Sequence, residues 1–61
     1  MAKIGMTIKL LQDIKGDYPI KQGTKGTIVN IDEDDEFKPY QIKFDNNMRL
    51  WVDYNTKMER I

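Results

Sequence analysis

Five acids stand in a row, Asp32-Glu33-Asp34-Asp35-Glu36, between two stretches that read as β-strands. Carboxylates this dense suggest cation binding, and a calcium loop begun at Asp32 places Asp34 at its third position and Glu36 at its fifth. The sixth position is then Phe37 where an EF-hand needs Gly, and the twelfth is Lys43 where it needs Glu. Flanking helices are also missing, so the EF-hand reading fails. Two readings remain. As a hairpin loop, five acids repel one another, stay wet and keep the adjoining strands from pairing with a neighbour. As a recognition feature, Asp34, Asp35 and Glu36 would draw in a basic surface.

Other chemistry is limited by what the 61 residues omit. There is no His, no Cys and no Ser. Zinc sites of the usual kind, haem ligation by His, thiol redox chemistry and Ser–His or Cys–His nucleophiles are all excluded. Carboxylate, Lys, Tyr and Thr chemistry would have to work on a scaffold too small to enclose a typical pocket of roughly 300 Å³ or more. We therefore expect a protein that is not an enzyme, with no cofactor and no metal.

Binding residues are easier to find. Tyr18, Tyr40, Trp51 and Tyr54 offer large contact areas with polar tips. If Leu50 and Val52 point inward, Trp51 must point out; the competing role for Trp51 or Tyr40 is to complete a small core. Lys15, Lys21 and Lys25 lie in or next to one loop, and Lys9 and Lys43 fall on outward strand positions. Together they would form a basic face for nucleic acid, with Tyr18 or Trp51 stacking on bases. Asp13 and Asp17 dilute that charge.

The whole chain carries ten basic and ten acidic side chains, so no global field draws it to nucleic acid or membrane. No apolar run approaches the roughly 18 residues of a membrane span. "MAKIGMTIKLLQ" lacks the long apolar core and small-residue cleavage site of a secretory signal, and the expected location is the cytoplasm. Eight Lys against two Arg, with eight Ile, suggests an AT-rich coding genome, as in a low-GC bacterium or its mobile elements.

The elements that must position these residues form one domain over residues 1–61, because no repeat or linker interrupts the chain. "MTIKLL" alternates, with Ile8 and Leu10 on one side. "QDIKGDYPIKQGTKG" is interrupted by Pro19 and three glycines and reads as a long ordered loop, from which Ile14, Tyr18 and Ile20 can tuck back onto the sheet. "GTIVNID" is a strong strand. Strict alternation buries Thr27, Val29 and Ile31, whereas a bulge near Asn30 buries Ile28 and Ile31; the sequence leaves both open. "YQIKF" puts Tyr40, Ile42 and Phe44 together. "DNNM" is a turn of the positive-φ kind found in two-residue hairpins. "RLWV" follows as a strand, "DYNT" as a short 3₁₀ turn and "KMERI" as the closing strand. The predicted fold is all-β: a small five-stranded antiparallel barrel with one long early loop.

This order resembles an SH3-like barrel. The resemblance is carried by "YPIKQGTKGTIVNID", "PYQIKFDNNMRLWV" and the Met and Ile of the last strand, nearly the whole chain. The Gly-Thr-x-Gly-Thr pattern is similar to that of KOW-type modules and, more closely, of uncharacterised bacterial and phage domains. Signalling SH3 domains are a poorer match: their Ala-Leu-Tyr-Asp-Tyr stretch and tandem Trp pair are absent, so proline-rich ligands are not implied. The resemblance places Tyr18, Tyr40, Trp51 and Tyr54 beside a groove between the long loop and the acidic turn. We expect a monomeric protein-interaction module or accessory subunit, with a phage- or plasmid-encoded inhibitor of a host protein as a special case. The alternatives are nucleic-acid binding through Lys9, Lys15, Lys21, Lys25 and Lys43, and self-association through an open edge.

Overall fold

A computed structural model describes residues 2–61. Five strands, β1 (Thr7–Leu10), β2 (Lys25–Ile31), β3 (Tyr40–Phe44), β4 (Arg49–Val52) and β5 (Met58–Arg60), form one antiparallel sheet in the order β4-β3-β2-β1-β5. The described residues contain no helix, and so none long and apolar enough to cross a membrane. The all-β expectation holds. Closure does not follow from it: no ladder joins β4 to β5 among the described residues, so the sheet is open rather than a hydrogen-bonded barrel.

Alternation explains which face is buried. Ile8 and Leu10 of β1, Ile42 and Phe44 of β3 and Val52 of β4 turn inward, joined by Ile28 of β2 and Ile20 of the early loop. Thr7, Lys9, Lys43, Arg49 and Trp51 consequently lie on the outer face.

Strand β2 breaks its own alternation. Ile28 pairs with Ile42, but Asn30 pairs with Gln41, so Val29 is an extra residue: a β-bulge. The bulge resolves the two readings of "GTIVNID". Ile28 is fully buried, Ile31 packs against the core, and Val29 is only half-buried. Two residues earlier, Gly26 sits between Ile8 on β1 and Phe44 on β3. A Cβ there would lie 2.7 Å from Ile42 Cγ2 and 3.0 Å from the Lys43 carbonyl oxygen, so a residue without a side chain is required.

The early loop is a small hairpin. Ile14 and Ile20 exchange backbone hydrogen bonds of 2.7 and 3.0 Å, and the Asp13 carboxylate accepts the Gln22 N–H at 2.6 Å. Of the three residues expected to tuck back, Ile20 is buried and Ile14 half-buried, while Tyr18 at the hairpin tip remains exposed. The turn after β3 is longer than the two-residue loop expected. Phe44 N–H bonds the Met48 carbonyl, enclosing Asp45, Asn46 and Asn47, with Asn47 at φ 68°. Three-residue loops end on such a left-handed residue, which Asn tolerates. The "DYNT" segment forms one i→i+3 turn, Thr56 N–H to the Asp53 carbonyl at 3.1 Å, and does not extend into a 3₁₀ helix.

Candidate functional site

The acidic run is organised by two of its own side chains. Asp32 Oδ1 accepts the Asp34 N–H at 3.1 Å, an Asx-turn geometry. Asp35 Oδ1 accepts both the Lys38 and Phe37 N–H groups at 2.9 Å. These two bonds, Lys38 first and Phe37 second, hold the Asp35 carboxyl below the usual carboxylate range, because each favours the charged form. The Asp32 N–H then bonds the Pro39 carbonyl at 2.7 Å and closes the loop. Asp34 and Glu36 are exposed and free to face a partner. Among the described residues, no three carboxylates converge into a group that could hold a metal ion.

Strand alternation divides the four expected aromatics into two pairs. Tyr40 pairs with Val52 on the core side of β3 and is half-buried, whereas Trp51 is one residue earlier on β4 and projects from the opposite face. Trp51 is 40% exposed, which answers the question of core or surface. It shares a cleft of about 230 Å³ with Tyr18, Ile14, Lys15, Lys38 and Leu50. A second cleft of about 400 Å³ shares Ile14, Lys15, Lys38 and Trp51 with the first and runs on toward Asp13 and Asp53. Tyr40 and Tyr54 instead line a separate depression of about 310 Å³, with Met6 and Met58.

The Tyr18–Trp51 cleft lies beside an open strand edge. The Phe44–Met48 hydrogen bond sets the phase of the β3–β4 ladder, so Ile42–Leu50 and Tyr40–Val52 are the hydrogen-bonded pairs. Arg49 and Trp51 then turn their N–H and C=O groups away from β3. Among the described residues neither backbone finds another partner. An edge with an exposed Trp on it can accept an extended segment or a contacting loop.

The cations are distributed differently from the expectation. Lys9, Lys25 and Lys43 share the outer face, with Lys9 directly opposite Lys25. Lys43 is directly opposite Arg49, a residue the sequence reading left out although Arg49 and Trp51 alternate onto the same side. Lys15 belongs to the Trp51 cleft, and Lys21 lies exposed on the other arm of the early loop. The only ion pair among the described residues is Lys9 Nζ to Glu59 Oε1 at 3.3 Å, a surface contact contributing at most about 1 kcal/mol. A second omission is Phe37, 71% exposed behind the acidic run. Its position between Glu36 and Lys38, outside any alternating stretch, is the signal that marks it as a loop aromatic.

No protein-family model, curated protein or solved structure matches this chain.

Proposed function

We propose that this is a non-enzymatic binding module that holds a protein partner at the Tyr18–Trp51 cleft. One observation carries the reading: the exposed Trp51 and exposed Tyr18 line one cleft alongside an unpaired strand edge. Rigid aromatics beside free backbone groups give a partner contact area and hydrogen bonds in one place. Lys15 and Lys38 in the same cleft supply positive charge, while Asp34 and Glu36 on the neighbouring loop supply negative charge, so the partner's rim is expected to be mixed in sign. The non-enzymatic reading rests on the sequence, which lacks His, Cys and Ser and with them the usual nucleophile–base pairs. The SH3-like resemblance of the sequence supports a small binding scaffold without specifying its ligand.

The test is affinity capture followed by titration of each captured protein against variants. Trp51→Ala and Tyr18→Ala should each weaken the true partner by about tenfold or more, the usual cost of losing an aromatic anchor. Tyr54→Ala, in the other depression, should leave affinity within about twofold. A partner that depends on Tyr54 and ignores Trp51 would move the site to the Tyr40–Tyr54 depression.

A further inference from the structure

The outer face of the sheet breaks a rule of strand pairing. Directly opposed side chains on antiparallel strands lie about 4.5–5.5 Å apart at Cβ, and like charges in that position are destabilising. Two such pairs occur here, Lys43 opposite Arg49 and Lys9 opposite Lys25. Lys25 lies two residues from Thr27, the residue facing Lys43, so Arg49, Lys43, Lys25 and Lys9 form one diagonal stripe across β4, β3, β2 and β1. Acids adjoin only its Lys25 and Lys9 members; Lys43 faces Thr27 and Arg49, and among the described residues no acid is paired across from either Lys43 or Arg49. Glu59 is paired with Lys9 at its far margin, and Asp45 lies next to Lys25, its N–H bonded to the Lys25 carbonyl. The acidic loop is at the opposite end of the β2–β3 hairpin. Trp51, two residues from Arg49 on the same face, stands at the β4 end of the stripe.

We propose that this stripe binds the phosphate backbone of a single-stranded nucleic acid, with Trp51 stacking on a base. A polyanion converts the repulsion within the like-charge pairs, Lys43 opposite Arg49 above all, into attraction, and its phosphates can follow a row of cations set one per strand. A flat aromatic at one end of such a row favours unpaired bases over a duplex, whose bases are already stacked. Arg49 and Lys43 are binding residues here, and Lys25 and Lys9 extend the track. This ligand is separate from the protein partner of the cleft; only Trp51 would serve both.

Trp51 is the single Trp in the chain, so its own fluorescence reports binding. Titration with a ten-residue oligo(dT) or oligo(U) at low salt should quench Trp51, with a log–log salt slope near −3, as about 0.7 per phosphate for four contacts requires. Lys43→Gln and Arg49→Gln should each weaken binding several-fold while leaving thermal stability equal or higher, since each relieves a like-charge pair. Amide chemical-shift changes should fall on β4, β3, β2 and β1, and Trp51→Ala should bind about tenfold more weakly. Tyr18→Ala should bind oligonucleotide normally, which keeps this result independent of the cleft. The proposal is overturned if neither oligonucleotide shifts any resonance at about 1 mM, if a duplex of the same length binds as tightly, or if Lys43→Gln binds unchanged. Loss of a protein partner, but not of oligonucleotide, in Lys43→Gln would likewise overturn it and assign the face to that partner.

Discussion

Three side-chain positions hold the local geometry, and each makes a distinct prediction. At Gly26 the Ile42 methyl and Lys43 carbonyl occupy the space of a Cβ, so Gly26→Ala should destabilise by about 1–3 kcal/mol, read by urea unfolding. Asn47 adopts φ 68° at the end of the β3–β4 loop. Asn47→Gly should raise stability by no more than about 1 kcal/mol, and Asn47→Ala should lower it by about 1 kcal/mol. At Asp35, two backbone N–H groups depress the carboxyl pKa in the folded state. A depressed carboxylate stabilises the fold above its unfolded pKa, about 3.9, and that contribution is lost as pH falls through the folded value. Unfolding curves of the natural protein and Asp35→Asn should therefore converge in the acid range below about pH 4 and separate above it. A constant gap at every pH would mean that the carboxylate's charge is immaterial to the loop.

At the scale of elements, the bulge in β2 determines what the core contains. Ile28→Ala should cost about 2–5 kcal/mol and Val29→Ala under about 1 kcal/mol, because the register shift buries the first and leaves the second half-exposed. A 61-residue domain with net stability near 3–5 kcal/mol should be unfolded, or nearly so, by the first change alone. The β1, β3 and β4 strands were legible because Ile8–Leu10, Ile42–Phe44 and Leu50–Val52 repeat with period two, and Trp51's outward position follows from the last of these. The bulge in β2 was legible only as one of two open readings, because the extra residue is decided by partners on β3 distant in sequence. Tyr18 illustrates the same limit. The Ile14–Ile20 bridge pulls those two residues to the sheet and leaves Tyr18 at the tip, and no local pattern distinguishes the three. The division of the aromatics was partly legible: "YQIKF" put Tyr40 inside and "RLWV" put Trp51 outside, which already separates them.

For the whole molecule, a net charge of zero conceals a division of labour. Acids concentrate in the loop after β2, while cations in like-charge pairs occupy the outer sheet face, and the exposed Trp51 stands where that face meets the open edge of β4. Composition reports only the sum, so this segregation required the ladder register. The open edges of β4 and β5 also present a route to self-association, but the β5 edge is only three residues long and β4 carries charged Arg49 beside Trp51. Sedimentation at high concentration should show a monomer. Trp51, exposed on the outer face of β4, stands where a contact residue rather than a core residue would stand. The most direct measurement is partner affinity of Trp51→Ala alongside its unfolding free energy. Affinity should fall by about tenfold or more, with a stability loss well below the roughly 3–5 kcal/mol of a buried Trp. Full retention of binding with a stability loss of that size would make Trp51 a packing residue and remove it from the contact surface.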